Sequence, residues 1–232
     1  RNKRRKQGIK QFLFLMPSLG GVACFVLLPF GKMTVSSFFI VLTGEFAGLK
    51  NYMAVFQNDA FEIAAANTVR FLAAGVLPLL LLSLGLALLI NGDSKRGKYR
   101  YLYLLPLAMP AAAMVLIWKL AFSGQGFLNR FLGTHTDFLG EESAFFILVG
   151  SYLWKNLGYT MILWLAGLKS IPEAMLEAAR MDGAGRVKRF WLITMPCLKG
   201  SMFTITVVSL INSFKVFREV YLVGGAYPPK SI

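Results

Sequence analysis

Phe71–Asn91 reads FLAAGVLPLLLLSLGLALLIN, a run with no charged side chain. It is long enough to cross a bilayer as a helix, which takes roughly 20 residues. Gln11–Gly31 and Tyr101–Trp118 have the same character. Two weaker runs follow: Ala144–Leu168 is interrupted by Lys155, and Gly200–Phe214 is short and leads into Lys215. Together they predict five spans, about Gln11–Ile40, Val69–Asn91, Tyr101–Phe122, Ala144–Leu168 and Gly200–Val223. Pro29, Gly31 and Lys32 predict a kink or an exit in the first. The expected fold class is all-α, a polytopic bundle of membrane helices. Composition agrees. Hydrophobic residues make up 56% of the 232 residues and mean hydropathy is +0.58, against an apolar share of about 45–50% in soluble domains.

The formal charge is +14, and its placement matters more than its size. Arg1, Lys3, Arg4, Arg5, Lys6 and Lys10 precede the first run. Lys95, Arg96, Lys98 and Arg100 lie between the second and third. Lys169, Arg180, Arg186, Lys188, Arg189 and Lys199 lie between the fourth and fifth. The alternate segments, Thr43–Asn67 and Ser123–Ser143, hold only Lys50 and Arg130 of this type. Alternation of this kind follows the rule that basic loops stay in the cytosol. It predicts a cytosolic N-terminus and argues against a nucleic-acid-binding face, which would not be split by apolar spans. The basic start and apolar run read as a retained anchor, because the run exceeds the ~7–15 residues of a signal core. Gly48–Asn67 is expected outside as a surface helix, with Met53, Val55, Phe56, Phe61 and Ile63 as its apolar side. Tight turns are expected at Asn91-Gly92-Asp93-Ser94 and at Tyr227–Ile232.

Several chemistries find no residues. Cys24 and Cys197 are not expected to pair or to bind metal. His135 stands in an outer loop with no other ligand type beside it and reads as a surface residue. There is no Gly-rich phosphate loop ending in Gly-Lys-Ser/Thr. ATP-driven work would therefore need another subunit, and no cofactor or metal is expected.

Between the fourth and fifth runs lies a polar stretch, 170–196. Ser170 and Glu173 have the spacing of a capping box, with Pro172 in the first turn. Ile171, Met175, Ala178 and Ala179 are expected on one side of a short helix, with Asp182 one turn on. Gly183 is a natural terminator. A second helical stretch, Arg186 to Met195, runs into Pro196. On helix signals alone an ordinary helical hairpin explains this as well as a docking element does.

The spacing within that stretch is more specific. Glu177-Ala178-Ala179, Gly183, Ile193 and Pro196 fit Glu-Ala-Ala, three residues, Gly, nine residues, Ile, one residue, Leu, Pro, with Met195 in place of Leu. The segment resembles the "EAA" loop of permease subunits in binding-protein-dependent ABC importers. Gly48-Leu49-Lys50-Asn51-Tyr52, Phe56 and Asn67-Thr68 are similar to a run that precedes the core in that family. The resemblance runs from Phe12 to Ser231. Leu165–Pro172 and Phe214–Tyr221 point to its carbohydrate-uptake members, of the maltose and glycerol-phosphate kind, and Leu15-Met16-Pro17 to the longer member of their permease pair. It implies a bacterial inner-membrane protein with the fold of a type I importer permease. Residues 1–66 would form the basic N-terminus, first span and outer segment, and 67–232 the transmembrane core with its coupling loop at 170–196. It also implies a sixth span beyond the sequence given. Relatives often show Thr-Gly-Gly-Gly-Pro where this chain has Val223-Gly224-Gly225-Ala226-Tyr227-Pro228.

The implied partners are a second, unlike permease, two ATP-binding subunits, an extracytoplasmic solute-binding protein and membrane lipid; no nucleic acid is implied. The implied mechanism is alternating access driven by closure of the ATPase pair. In the loop, Glu177 would meet a basic group on the ATPase, Ala178 and Ala179 would permit close approach, and Gly183 would make the turn. Asp182, Ile193 and Pro196 complete the coupling set.

Lys155 and Lys215 fall inside predicted spans, where a charge costs roughly 2.5–3.5 kcal/mol on insertion scales. Asn156 and Asn212 accompany them, and Trp154 and Phe214 add aromatic surface. These residues suit a sugar path, with polar groups for hydroxyls and rings for apolar faces. They equally suit helix-to-helix contacts or snorkelling, and both readings stay open. Other functions compatible with the sequence are a permease for glycerol-phosphate or a modified sugar, an ATPase-independent secondary transporter, and, last, a membrane-embedded enzyme. A secondary transporter would often show internal repeats, and none is evident. An enzyme would need His, Cys or paired carboxylates in its spans.

The charge pattern makes an orientation testable. A cysteine placed at Gly126 should react with an impermeant label added outside the cell, and one at Arg186 should not. The reverse labelling would overturn the assigned sidedness.

Overall fold

The computed structural model describes residues 2–92, 96–140, 143–216 and 219–221. Lys95, part of the Asn91–Ser94 turn, the Val223–Pro228 stretch and the turn at Tyr227–Ile232 lie outside the described residues. Among those described, the chain forms helices joined by short turns, with one isolated antiparallel bridge between Phe39 and Phe46. It divides into two compact units, Arg1–Glu62 and Ile63–Ile232.

The first unit holds α1 (Asn2–Val22), α2 (Leu28–Ser36) and α3 (Lys50–Phe56). The helix expected to reach Ile40 stops at Ser36, because a small hairpin takes over the backbone bonds. The Ile40 N–H donates to the Glu45 carbonyl, and Ala47 N–H to Phe38. Asn51 locks this hairpin: its amide donates to the carbonyls of Ser37 and Phe39, both at 2.9 Å. The surface helix expected over Gly48–Asn67 is two helices, broken at Gln57-Asn58. The Asn58 side-chain oxygen accepts the Ala60 N–H at 2.9 Å and so caps the helix that starts at Asp59.

The second unit is built on α4 (Asp59–Phe71), α5 (Leu77–Asn91), a 3₁₀ segment (Arg96–Ala108), α6 (Ala111–Phe122), α7 (Phe127–Leu132) and α8 (Ser143–Lys169). Then come α9 (Glu173–Met181), α10 (Arg186–Arg189), α11 (Met195–Cys197) and α12 (Lys199–Phe214). The second span starts ten residues before its expected Val69, at Asp59, where Asp59 and Glu62 complement the helix dipole. The third is not one helix over Tyr101–Phe122. Pro110 sits at an extended ψ of 142° and starts α6 afresh, and Pro106 removes a donor just before it. The second helical stretch does not end at Pro196. α10 continues through a wide turn and α11 to α12, with Pro196 in the opening turn of α11.

Three prolines are handled alike. Wide π-turns at Ala23–Leu27, Leu72–Val76 and Phe190–Thr194 each immediately precede Leu28-Pro29, Leu77-Pro78 and Met195-Pro196. A proline inside a helix clashes with the carbonyl one turn back and offers it no N–H. A π-turn shifts that carbonyl aside, so the helix continues through each proline, including Pro29, where a kink or an exit was expected.

Helix α8 is the centre of the second unit. Its C-terminal half packs Met161, Trp164, Leu165 and Leu168 against Leu84 and Ala87 of α5 and Ile205 of α12. Its other half sets Tyr152 against Val76 and Leu79. Buried polar groups find partners, as a dry interior requires, and two such bonds, both from tryptophan, cross between helices. Trp164 Nε1 donates to Ser83 Oγ at 3.1 Å, and Trp118 Nε1 to Ser151 Oγ at 2.8 Å. Asn129, 2% exposed, organises the loop after α7 by donating to the carbonyls of Ser123 and Thr136.

By length and composition, four helical stretches among the described residues could cross a membrane: Phe12–Ser36, Asp59–Asn91, Ala111–Leu132 and Lys199–Tyr221. Helix α8 has the length, at 27 residues, but Lys155 and Asn156 dilute its apolar character.

Gly158 carries the tightest contact in the unit: a Cβ there would overlap the backbone carbonyl of Tyr103 in the 3₁₀ segment. Backbone cannot retreat like a flexible side chain. Gly158→Ala should therefore cost about 3 kcal/mol or more, the upper range of overpacking. The measurement is thermal unfolding of the detergent-purified protein, with Gly150→Ala, whose Cβ would meet open space, as the control expected to change little.

Candidate functional site

Two groups of residues carry chemistry, and the fold treats them differently. The first is the polar segment after α8. No capping box forms there. Ser170 still belongs to the end of α8, and its hydroxyl donates to the Gly167 carbonyl at 2.7 Å. Pro172, with ψ at 127°, occupies the position before α9 instead. Nor do the expected residues share a face. Ile171 precedes the helix and is buried in the core with Leu198, while Ala179 is buried and Ala178 and Met175 are exposed. Neighbours on a helix point about 100° apart, which separates Ala178 from Ala179.

The end of α9 is well defined. Asp182 is the last residue in near-helical conformation, and Gly183 follows with φ at +73°. Ala184 N–H donates to the Ala179 carbonyl at 2.9 Å, and Gly183 N–H to Arg180 at 3.0 Å. This paired closure needs a left-handed residue, which glycine supplies without strain. Glu177, Ala178, Asp182, Gly183 and Pro196 are all exposed, and Ile193 is half-buried. Apolar side chains stand out beside them: Met181 is 89% exposed and Val187 72%.

The second group is a cavity of about 490 Å³ in the second unit. Lys155 and Asn156 on α8, and Asn212 and Lys215 at the end of α12, all line it. So do Ser151, Tyr152, Phe214 and Glu219. Lys155 Nζ donates to Glu219 Oε1 at 2.6 Å, in an ion pair whose side chains are 27% and 10% exposed. Asn156, buried, donates to the Tyr152 carbonyl at 2.9 Å, and Asn212 reaches its oxygen at 3.5 Å. Tyr152 hydroxyl donates to the Ser209 carbonyl at 2.8 Å, tying α8 to α12. Lys215 is exposed at the rim and makes no ion pair among the described residues. Trp154 is not part of the lining; it meets Trp118 edge-on at 5.8 Å.

Sequence spacing did not point to Glu219, Ser151 or Tyr152. The last two had a signal: they stand one helical turn before Lys155 and Asn156, on the same face. Glu219 had only the general expectation that a lysine at bilayer depth seeks an acid. Among the described residues, no His, Cys, Asp and Glu cluster could hold a metal ion, and Cys24 and Cys197 are both free.

The family described as binding-protein-dependent transport system inner membrane component matches residues 80–231. The chain is 31% identical to the "Probable ABC transporter permease protein YesP" of Bacillus subtilis, over 94% of this chain and 74% of that one. It is 32% identical to the trehalose/maltose transport system permease protein MalF of Thermococcus litoralis, over 94% and 77%. A solved chain of a bacterial ABC transporter involved in the import of the acidic polysaccharide alginate superposes with a TM-score of 0.81. That match covers 99% of this chain and 81% of the other at 23% identity, and it bears on the fold.

The ion pair invites a double-mutant test. Lys155→Met alone leaves a carboxylate buried without a partner, and Glu219→Gln leaves the ammonium. Each should lower stability by about 3 kcal/mol, the low end for breaking a buried pair because Lys155 keeps some exposure. The double variant should recover most of that loss in thermal unfolding. Additive losses would mean that the pair contributes nothing as a pair.

Proposed function

The chain belongs to the binding-protein-dependent transport system inner membrane component family, the permease subunits of ABC importers, and on that premise we propose that it forms half of the path by which a sugar or oligosaccharide enters a bacterial cell. The family's members are transport components, not enzymes. The observation that carries the path reading is the shared cavity: Lys155, Asn156, Asn212 and Lys215 come from helices on either side of the polar segment, yet line one space. Its size falls in the usual range for small-molecule sites, about 300–1,000 Å³. Asn156, Asn212 and Ser151 offer donors and acceptors to hydroxyls, and Phe214, Leu107 and Leu148 offer apolar faces. The MalF relative, by its name, moves trehalose and maltose.

In this reading α8 is a fifth span, its polar face turned to the cavity, and the N-terminus and 170–196 lie in the cytosol. A second, unlike permease supplies the other half of the path, and a solute-binding protein delivers the solute from outside. Residues 170–196 dock on one of two ATPase subunits. Exposed Glu177 meets a basic group there, Ala178 allows close approach, and Met181 and Val187 give the contact an apolar rim. Asp182, Gly183, Ile193 and Pro196 hold the segment's shape. Ala179 acts inward, anchoring α9 to its own subunit. Closure of the ATPase pair would then move α9 as a block and change which side of the membrane the cavity faces. Such coupling needs no bond chemistry in this chain, only a stiff contact biased by two equilibria.

Gly183→Ile tests the coupling. A β-branched residue at φ +73° is strained, although a Cβ there meets open space, so the fold of the spans should survive. The variant should co-purify with less ATPase subunit, or hydrolyse ATP without matching uptake. Normal assembly with full coupled uptake would remove the basis of the docking assignment.

A further inference from the structure

The charges in the cavity do not cancel. Among the described lining residues, two ammonium groups, Lys155 and Lys215, face one carboxylate, Glu219. That carboxylate is committed to Lys155 at 2.6 Å, and Lys215 has no acidic partner among the described residues. Open to water, a rim lysine without a partner costs little. A solute that fills the cavity displaces that water, and a neutral sugar would leave the excess charge poorly solvated. A solute carrying an oxyanion would compensate it.

The geometry also indicates which oxyanion fits. The cavity already holds one carboxylate in a direct, charge-assisted bond, and it belongs to Glu219. Asn156 and Asn212, on the same lining, can bond the hydroxyls of a sugar ring. We infer, resting on the path reading above, that the solute is an acidic saccharide bearing a carboxylate, and that its carboxylate competes with Glu219 for Lys155 while Lys215 draws it in from the rim. Glu219 is then the resident occupant of the anion subsite: it neutralises Lys155 when the path is empty and yields it when the solute arrives. A purely structural role for these charges, with Lys215 placed at the end of α12 to suit the helix dipole, predicts stability effects and no preference among sugars.

The test is calorimetric binding to the assembled importer in detergent, with digalacturonate and maltose as probes. Digalacturonate should bind at least about tenfold tighter than maltose, the scale of one charge-assisted bond, and molar salt should narrow the gap. Glu219→Gln, which removes the competitor, should tighten digalacturonate severalfold. Lys215→Met should weaken it about tenfold. The ratio of digalacturonate to maltose affinity should rise in Glu219→Gln and fall in Lys215→Met. Equal or tighter binding of maltose, or a Glu219→Gln variant that loses affinity for digalacturonate, would overturn the proposal while leaving the path reading intact. If Glu219→Gln does not assemble, Lys215→Met at the exposed rim decides alone: unchanged digalacturonate affinity refutes the proposal. Failure of digalacturonate to bind a complex that still hydrolyses ATP would overturn the charge inference and leave the path reading, which names no particular sugar, intact.

Discussion

A helix that carries a lysine and an asparagine midway along its length can lie within a bilayer only if other helices enclose it, and for α8 as the proposed fifth span that condition governs the second unit. Nothing in the hydrocarbon region replaces a lost hydrogen bond. Helix α8 therefore spends its polar residues on its neighbours. Lys155 goes to Glu219, Tyr152 to the Ser209 carbonyl, Ser151 to Trp118, and Trp164 to Ser83. These bonds reach α5, α6, α12 and the segment beyond α12. The apolar packing around Leu84, Met161 and Ile205 fills the space between them. The polar bonds fix which face of α8 meets which helix, while dispersion and close packing supply the cohesion that water cannot drive within lipid.

The same demand for satisfied backbone explains the prolines. A proline in a lipid-facing helix threatens to orphan a carbonyl, so breaks are costly there. The chain meets the problem with a wide turn before Pro29 and Pro78, and the same turn precedes Pro196 in the polar segment. At Pro106 and Pro110 it changes helix type and then restarts. The first solution keeps a continuous rod. The second yields two stiff pieces, of which the 3₁₀ segment lies against α8.

Much of this was legible in the sequence. Runs such as Phe71–Asn91 gave the class, and Gly183 marked the end of α9. The polar residues of α8 and α12 could be named as a set because charge in an apolar run is rare. Their convergence on one cavity could not be read. It depends on the rotation of two helices, and sequence spacing does not set rotation across a loop. Glu219 was hidden for a related reason: it lies 64 residues from Lys155, in a stretch that reads as the polar end of a span. Ser170 and Glu173 had the right spacing for a cap, but Pro172 between them imposed an extended backbone and gave Ser170 to the preceding helix. The break in the third span was signalled by Pro106 and Pro110, and apolar content outweighed them. Ala178 and Ala179 matched a motif by spacing, yet one faces out and the other in.

The contact at Gly158 has a mechanical meaning. With the Tyr103 carbonyl seated against the α8 backbone, no side chain lies between the two pieces to act as a bearing. Sliding or rotating one past the other would drive backbone into backbone. The 3₁₀ segment and α8 therefore behave as a single beam two helices wide. Any shift between inward and outward access has to be taken up at the borders of that beam, where side chains such as Leu148 and Phe214 can reseat. The cavity lies along one such border, between α8 and α12, so in the proposed path the Tyr152–Ser209 bond would have to give before the surface around the solute could shift.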